Sequence, residues 1–446
     1  MSFKVPPTGL LAPGVIDGFT LDASQTTADI QHTVVLLAAA AIVSNNTLIA
    51  GGLTGAVVSE SALGIYVSGI GTVIRHNVIR SLGDLGRGIA VETGDDTLIE
   101  DNDIIANTGI SIANSGTVRN NRVSYRVDGE LIEPRTMISI ETGGVLVEGN
   151  LLLGHEPVLD VTNGLVVHGT VDTIARFNRI SGGGGVLASR AVHFNAEGTL
   201  FLHANLIDAG RSPTGARSGI DSQPSGPAGR LIATNNTISY GSGTNVESQS
   251  GVFRMSRSSA LIALNNLVFG QGSFAVFREN PDDNAEGHFA DARSLDNNVV
   301  VSVPVLSLYA DNDTRAAPPP TSIMDMQSLL WCQDTPAENN QLLSALPESV
   351  FVDYDGQDDD VSTLQDNDWH LLPSAPAAIR DGGIGPQGPG PGCGAVTGPT
   401  GGSGYMPPLS GCALPSRGSE PCNLVPVDFE QTPRTAPWSV GAYERD

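Results

Sequence analysis

The stretch TVIRHNVI at residues 72–79 decides how the rest of the chain is built, because it recurs along the sequence. Two further copies are TLIEDNDI at residues 97–104 and LIATNNTI at residues 231–238. The copies share an asparagine that is followed, two positions later, by isoleucine, valine or leucine. This asparagine falls at Asn46, Asn77, Asn102, Asn121, Asn150, Asn178, Asn205, Asn236, Asn266 and Asn298. Successive copies are 19 to 32 residues apart, and a loose period of this length is typical of a solenoid.

Within each repeat the apolar residues alternate along the chain, as in GIYV at residues 64–67. Helical repeats of similar length would show a 3.6-residue period instead. Alternation within a coil and repetition between coils predict stacked parallel strands, each roughly 4.8 Å above the last. The middle residue of each aligned triplet is predicted to point to solvent, and a one-residue slip would reverse this. The triplets are Ile65-Tyr66-Val67, Ile89-Ala90-Val91, Ile110-Ser111-Ile112, Ile138-Ser139-Ile140, Leu165-Val166-Val167, Val192-His193-Phe194, Ile220-Asp221-Ser222, Val252-Phe253-Arg254 and Ala275-Val276-Phe277.

The repeated asparagine has a structural role in this arrangement. The chain must turn once per coil, and asparagine tolerates the left-handed backbone conformation that a turn requires. Stacked asparagine amides can also donate to one another from coil to coil. We therefore interpret these asparagines as structural residues and not as a binding site.

These repeats resemble the right-handed parallel β-helix proteins of bacteria over about residues 42–310. The resemblance implies an all-β fold, a right-handed parallel β-helix of about ten coils with a loop-rich C-terminal region. That superfamily contains pectate-lyase-like enzymes, glycosidases, epimerases, adhesins and phage tailspikes, so the resemblance implies a fold and no single activity.

The sequence divides into three regions. Residues 1–33 are predicted to form an N-terminal cap, residues 34–310 the parallel β-helix, and residues 311–446 an acidic, cysteine-containing region folded back along the helix or capping it. Insertions in solenoids often build the binding surface. Four of them are predicted, at 124–135, 208–230, 241–250 and 278–292.

The C-terminal region carries a second resemblance. Its segments FVDYDGQDDD at residues 351–360, NDWHLLPSAPA at residues 367–377 and VGAYE at residues 440–444 resemble the C-terminal signature of secreted bacterial β-helix proteins. The match has departures, including Arg380 and an extra residue between Ser374 and Pro376. The signature implies secretion and names no reaction.

Charge narrows the range of partners. The formal net charge is −25, and Lys4 is the only lysine. An acidic surface repels nucleic acid and anionic membranes. It suits cations and neutral glycans, and it argues against a polyuronate ligand unless a local cluster of arginines offsets the field.

The four cysteines all lie in the last third of the chain, at Cys332, Cys393, Cys412 and Cys422. No C-x-x-C metal spacing occurs, so one or two disulfides are predicted, with the pairing open. Disulfides imply an oxidising compartment, extracellular or at the cell surface. The alternative is free thiols in a cytosolic protein.

The apolar run 34–43 is too short to span a bilayer, and no signal peptide is visible, so we expect a removed signal or a segment of a longer secreted protein.

The residues that could carry acid–base chemistry are His193 and Asp221, the middle residues of consecutive triplets. Stacking would place them side by side on the outer face, where a carboxylate raises the pKa of histidine and orients its ring. Arg190 and Arg254 lie nearby and could bind a sugar carboxylate in a fork. These four residues are the candidate catalytic set.

Candidate ligand-binding residues surround that set: Asn195, Gln223 and Arg217, the last in the 208–230 insertion that would overhang the face. The alternative is that all of these are ordinary polar residues on an exposed sheet.

A further pair, Glu92 and Glu141, sits in matching phrases and could suit glycoside hydrolysis, which needs two carboxyls roughly 5–10 Å apart. Repeat similarity accounts better for that pair.

Function is predicted in two main classes. The first is a secreted or cell-surface protein whose lateral face binds a polysaccharide, a cell-surface glycan or a partner, in an adhesive or structural role. The second is a polysaccharide lyase, glycosidase or epimerase that acts in the lateral groove. The first is favoured because the sequence lacks the G-x-S-x-G, P-loop, dinucleotide-binding and H-E-x-x-H motifs of common enzymes. A third possibility is an extracellular subunit that forms filaments by self-association end to end.

A calcium site is predicted from the densest group of carboxylates, which comprises Asp353, Asp355, Asp358, Asp359 and Asp360. The phrase Asp-x-Asp-Gly resembles calcium loops, in which alternate carboxylates and a glycine turn wrap the ion. The spacing is not that of an EF-hand, and the alternative is a solvated acidic loop. If calcium binds here, EDTA lowers the melting temperature and added Ca²⁺ restores it. A melt that EDTA leaves unchanged would contradict the prediction.

Overall fold

The computed structural model describes residues 13–23, 33–38, 40–51, 62–82, 86–125, 134–142, 144–154, 157–158, 161–212, 215–223, 229–241, 250–255, 260–271, 275–279, 293–296, 298–303, 307–310, 341–355, 357, 364, 367–381, 429–430 and 441–442. Three long parallel sheets run the length of these residues, with 11, 12 and 11 strands. Strands are numbered in chain order. All four cysteines and Asp358, Asp359 and Asp360 lie outside the described residues.

Each coil passes through sheets 1, 2 and 3 in turn. Sheet 1 contains β1 (Gly14–Asp17), β4 (Ala41–Ser44), β7 (Val73–Arg75), β10 (Thr97–Glu100), β13 (Gly116–Arg119), β16 (Val145–Glu148), β20 (Thr173–Arg176), β24 (Thr199–His203), β27 (Arg230–Thr234), β30 (Ala260–Leu264) and β33 (Arg293–Asp296). Sheet 2 contains β2 (Thr20–Asp22), β5 (Thr47–Ala50), β8 (Val78–Ser81), β11 (Asp103–Ile105), β14 (Arg122–Ser124), β17 (Leu151–Leu153), β21 (Arg179–Ser181), β25 (Leu206–Asp208), β28 (Thr237–Ser239), β31 (Leu267–Gln271), β34 (Val299–Val303) and β36 (Gln341–Leu343).

Sheet 3 contains β3 (Thr33–Leu37), β6 (Leu63–Val67), β9 (Arg87–Val91), β12 (Thr108–Ile112), β15 (Arg135–Ile140), β19 (Val161–Gly169), β23 (Ala188–Ala196), β26 (Ala216–Ser222), β29 (Gly251–Met255), β32 (Ala275–Glu279) and β35 (Ser307–Ala310). Two small sheets pair β18 (Pro157–Val158) with β22 (Gly184–Gly185) and β37 (Phe351–Asp353) with β38 (Asp368–Leu371). Helix α1 (Ala377–Arg380) and the 3₁₀ turn Pro347–Ser349 are the helical elements of the described residues. The predicted all-β parallel β-helix is confirmed.

The core is a set of stacked apolar columns. In sheet 3 one column consists of the first residues of the aligned triplets, each fully buried: Ile65, Ile89, Ile110, Ile138, Leu165, Val192 and Ile220. Stacking like on like lets each side chain fill the space above its neighbour. The predicted register is correct for these seven strands.

The register of the last two triplets is wrong, by one residue for the triplet at 252–254 and by two for the triplet at 275–277. Ile220 pairs with Phe253 and not with Val252, so Asp221 pairs with Arg254. Phe253 pairs in turn with Phe277. Val252 and Phe253 are both buried, at 0% and 1% exposure, so the apolar pattern could not show which of them continues the column.

The ten repeated asparagines form one continuous buried ladder at the corner between sheets 1 and 2. At a representative step, the Nδ2 of Asn102 donates to the Oδ1 of Asn121 at 2.9 Å. The backbone N–H of Asn102 donates to the same oxygen at 3.0 Å. Its Nδ2 also donates to the carbonyl of Ile74, one coil back, at 3.0 Å. The predicted structural role is confirmed.

The left-handed turn lies one residue earlier than predicted. Positive φ angles occur at the residues that precede nine of the ladder asparagines, namely Asn45, His76, Asp101, Asn120, Gly149, Phe177, Ala204, Asn235 and Asn265. The ladder asparagine must hold its amide in line with its neighbours, so the residue before it makes the turn. That position varies in side chain, and only its backbone geometry is shared.

One predicted insertion also needs correction. Residues 208–230 do not form a single loop, because β26 occupies the middle of the range and belongs to sheet 3. The turns on either side of this strand lie at two different corners of the coil.

Part of the C-terminal region packs against the outer face of sheet 2. Phe351 and Trp369 are buried there beside Phe269 of β31, with ring centroids 4.6 and 4.8 Å from that ring. The Nη1 of Arg179 donates to the carbonyl of Leu364 at 2.9 Å. The N–H of Ala442 donates to the Oγ1 of Thr237 at 2.9 Å. The apolar residues of the C-terminal signature therefore hold this segment on the solenoid.

None of the helices in the described part of the chain is long and apolar enough to cross a membrane.

The ladder predicts a large cost for removing a single amide. In Asn121→Ala, the backbone N–H of Asn102 loses its acceptor, and the Nδ2 of Asn102 and the carbonyls of Ile99 and Arg119 each lose one bond inside the corner. We expect a loss of unfolding free energy on the order of 3 kcal/mol, at about 1–3 kcal/mol for each buried polar group left unsatisfied. Urea denaturation measures it. The control is Asn114→Ala, which removes one exposed bond to the Glu92 carbonyl and should cost far less. Equal effects of the two substitutions would contradict the assigned role of the ladder.

Candidate functional site

The candidate site lies on the outer face of sheet 3, where four strands place polar residues next to one another. In β19, β23, β26 and β29 the outward row reads Val166, His193, Asp221 and Arg254. Because the strands are parallel and in register, each side chain stands one coil above the last. The structure therefore brings His193 and Asp221 together.

Asp221 is the centre of the cluster and is fully buried. Its Oδ2 lies 3.0 Å from the Nε of Arg190, 3.2 Å from the Nη1 of Arg254 and 3.3 Å from the Nδ1 of His193. The Nε2 of Gln223 donates to both carboxylate oxygens, at 2.9 and 3.2 Å. All four predicted catalytic residues thus belong to one cluster, which we call the Asp221 cluster, with Gln223 as its fifth member.

Two successive inward residues of β23 put Arg190 and His193 on the same face although they are three positions apart. The two residues between them, Ala191 and Val192, are both fully buried. The register pairs Arg190 with Ser218 and Val192 with Ile220, and Ala191 has no partner in it. The neighbouring strands skip the residue at the same level, Gly164 in β19 and Gly219 in β26, so the register does not shift and the two successive inward positions are a repeated feature of sheet 3.

A further histidine lies beside the cluster. His168 pairs with Asn195 in the next outward row, and its ring meets that of His193 edge-on, with centroids 6.4 Å apart. His168 and Asn195 are both half-buried. Sequence reasoning missed His168 because it follows the Leu165-Val166-Val167 triplet by one position. The outward alternation from Val166 would have predicted it.

The electrostatics keep Asp221 ionised. Burial would raise the pKa of Asp221, but the His193 contact and the positive charges of Arg254 and Arg190 outweigh burial and lower the pKa from 3.8 to about 2. Burial also lowers the pKa of Arg190, while Asp221 acts in the opposite direction. A buried carboxylate of this kind orients its partners and cannot serve as a general acid near neutral pH.

The cluster is locally positive in an acidic protein. Two arginines and one histidine surround a single carboxylate, whereas the chain as a whole carries a formal charge of −25. Arg190 and His193 keep 25% and 14% of their side-chain surface exposed, while Arg254 keeps 7%. An external ligand would therefore meet Arg190 and His193 first.

Arg217 does not lie on this face, which corrects its assignment as a ligand-binding residue. It is 2% exposed, and its guanidinium stacks over the ring of Tyr240 with 4.5 Å between the guanidinium carbon and the ring centroid. Its backbone N–H donates to the Oγ of Ser250 at 3.0 Å. In the register Arg217 pairs with Ser189, which is fully buried as well.

Glu92 and Glu141 lie on the same sheet, away from the Asp221 cluster. The hydroxyl of Tyr66 donates to Glu92 at 2.7 Å, and this bond raises the pKa of Tyr66. The hydroxyl of Ser139 donates to Glu141 at 2.6 Å. Both carboxylates are engaged by neighbouring hydroxyls, as expected of repeated surface positions.

The predicted metal ligands are only partly described. Asp353 pairs with Asp368 in the β37–β38 hairpin, and Asp355 follows the first strand of that hairpin. Among the described residues, no group of three or more His, Cys, Asp or Glu side chains is arranged to hold a metal ion. The calcium site stays a prediction.

The chain matches no known family model. No curated protein matches its sequence either.

The lowered pKa of Asp221 predicts how stability depends on pH. The carboxyl titrates near 3.8 in the unfolded chain and near 2 in the fold, so its contribution is present above about pH 4 and is lost as the pH falls through about 2. A shift of this size corresponds to on the order of 2 kcal/mol.

The substitution that tests this is Asp221→Asn, followed by urea unfolding between about pH 2 and pH 7. Near neutral pH the variant leaves Arg190 and Arg254 without their counter-charge, and we expect a loss of roughly 3–5 kcal/mol. The difference from the wild type should narrow steadily below about pH 4, where the wild-type carboxyl begins to lose its advantage. The control is Asp103→Asn, which removes a surface pair with Arg80. A difference that stays constant across this range would contradict the assignment.

Proposed function

We propose that the protein works outside the cell and uses the outer face of sheet 3 to bind a glycan. The observation that supports this most directly is the Asp221 cluster, in which a buried carboxylate fixes Arg190 and His193 at the surface. A ligand that meets groups already held in place loses less conformational entropy on binding. Asn195 and Gln223 extend the same polar surface by one row.

The proposed ligand carries a carboxylate or another anionic group. Arg190 uses its Nε edge to contact Asp221, and its exposed part faces solvent. A guanidinium that is fixed in this way is suited to a planar anion, which it contacts through parallel N–H groups. The local excess of positive charge offsets the acidic field of the rest of the chain, which is the condition under which an anionic glycan fits this protein.

The second candidate function is an enzyme that removes a proton next to a sugar carboxylate, as lyases and epimerases do. It is favoured by one observation, the contact between the Nδ1 of His193 and Asp221 at 3.3 Å. The carboxylate faces the Nδ1 side of the imidazole, so the Nε2 is the atom that would exchange a proton with a substrate. A glycosidase fits less well, because it needs two carboxyls and the cluster contains one.

The experiment is a panel of anionic and neutral polysaccharides, tested with the whole protein. Binding is measured by isothermal titration calorimetry. In the same samples, product is followed by the ultraviolet absorbance of unsaturated uronates and by new reducing ends. We expect binding to anionic polymers such as polygalacturonate, alginate or hyaluronan, and little binding to dextran or xylan. Arg190→Gln and His193→Gln should each weaken that binding about tenfold or more, the loss of roughly 1.4 kcal/mol expected for a charge-assisted hydrogen bond.

The matched control is Arg80→Gln, which removes a partly buried arginine from sheet 2. Binding that is unchanged in both sheet 3 variants would contradict the proposal. Product that forms with the wild type and disappears in His193→Gln, while binding persists, would favour the enzyme over the binding protein.

A further inference from the structure

An apolar row runs along the outer face of sheet 1. It comprises Val15, Ile42, Val73, Leu98, Thr117, Leu146 and Ile174, which pair with one another from strand to strand. These residues point outward because they alternate with fully buried neighbours such as Ile74, Ile99 and Val118. All but Thr117 are large aliphatic residues, so this outer face is apolar over seven consecutive strands.

The described residues leave most of this row uncovered. Val15 and Ile42 are 66% and 36% exposed, and the five residues that follow are half-buried. Farther along the same row, Phe201 and Ile232 are buried. Sheet 2 presents a similar apolar face at its later coils, but there Phe351, Trp369 and their neighbours cover it. From Ile42 to Ile174 the uncovered row extends roughly 24 Å, taking one strand spacing of about 4.8 Å per step.

A row of alternating charge lies next to the apolar row. It consists of Arg75, Glu100, Arg119, Glu148 and Arg176, one residue per coil. Within the chain, Arg119 pairs with Glu100 at 2.6 Å and Arg176 with Glu148 at 2.7 Å. Arg119 is half exposed, so these pairs keep part of their charge turned to solvent. The sign of the charge therefore changes at every strand spacing along this face.

We propose that sheet 1 is the contact face of a homodimer, in which the apolar rows of two chains pack against each other in antiparallel directions. Two sheets packed face to face lie about 10 Å apart, with their side chains interdigitated. An offset of one coil places two arginines and both glutamates of each charge row opposite residues of the other sign, and leaves the arginine at one end of each row outside the overlap. The contact is isologous, since the same patch serves both chains.

The charge row argues for a second copy over any other partner. Its sign alternates with the spacing of the coils, and a surface that matches it over several coils must repeat at the same spacing. Another copy of this chain meets that condition, and its own row supplies the complementary order. The proposal is independent of glycan binding, because sheet 3 stays accessible in such a dimer.

The test is sedimentation equilibrium over a concentration series with the full chain, in which a dimer is expected. Leu98→Lys together with Leu146→Lys should raise the dissociation constant of the dimer at least tenfold, since each substitution would bury a charged side chain at the contact. These positions point outward, so the fold should be retained, which the circular dichroism spectrum checks. The control pair is Val78→Lys with Ile105→Lys, at comparably exposed outward positions of sheet 2, and it should leave the dimer intact.

Two results would overturn the proposal. One is a wild-type chain that is monomeric at every concentration. The other is an association that survives Leu98→Lys with Leu146→Lys, because the contact would then lie elsewhere, for example between the ends of the solenoids.

Discussion

The asparagine ladder is the constraint on which the rest of this fold depends. A parallel solenoid must turn its corners many times with few residues, and every corner buries backbone groups that need partners. Each ladder amide bonds to a backbone carbonyl of the preceding coil and to the ladder amide of the next coil, as Asn102 does with Ile74 and Asn121. The corners are thereby locked in vertical register. Once that register is fixed, the aliphatic columns and the outward rows of all three sheets follow from the alternation of strands.

Vertical register also explains how a functional cluster can arise from residues that are far apart in sequence. His193, Asp221 and Arg254 come from three coils, yet they stand in one row because their strands are parallel and in register. The two successive inward residues Ala191 and Val192 bring Arg190 onto the same face. A buried carboxylate that holds two arginines is costly to desolvate and adds little net stability. Such a group is better explained by the orientation it gives to its partners than by stability.

Much of this architecture could be predicted from the sequence because it is repeated. The ladder asparagines and the column from Ile65 to Ile220 recur with a spacing that a single sequence shows. What could not be predicted is what happens only once. The slip at Phe253 follows from two adjacent buried residues, and the burial of Arg217 depends on Tyr240, which follows the sheet 2 strand of the next coil. His168 escaped notice because the alignment stopped at the third residue of each triplet. The packing of Trp369 on Phe269 is a long-range contact that no local pattern encodes.

The three outer faces show how one solenoid can support separate roles. At the later coils, sheet 2 is covered by the chain's own C-terminal residues, and the outer positions of sheet 1 at Phe201 and Ile232 are buried as well. At the earlier coils, Ile42 and Val78 remain exposed. The two ends of the solenoid therefore differ in how much apolar surface they present. Because inward and outward side chains lie on opposite faces of each sheet, outward residues can change coil by coil without disturbing the core. That independence allows sheet 3 to hold a charged cluster while sheet 1, in the same coils, keeps an apolar row.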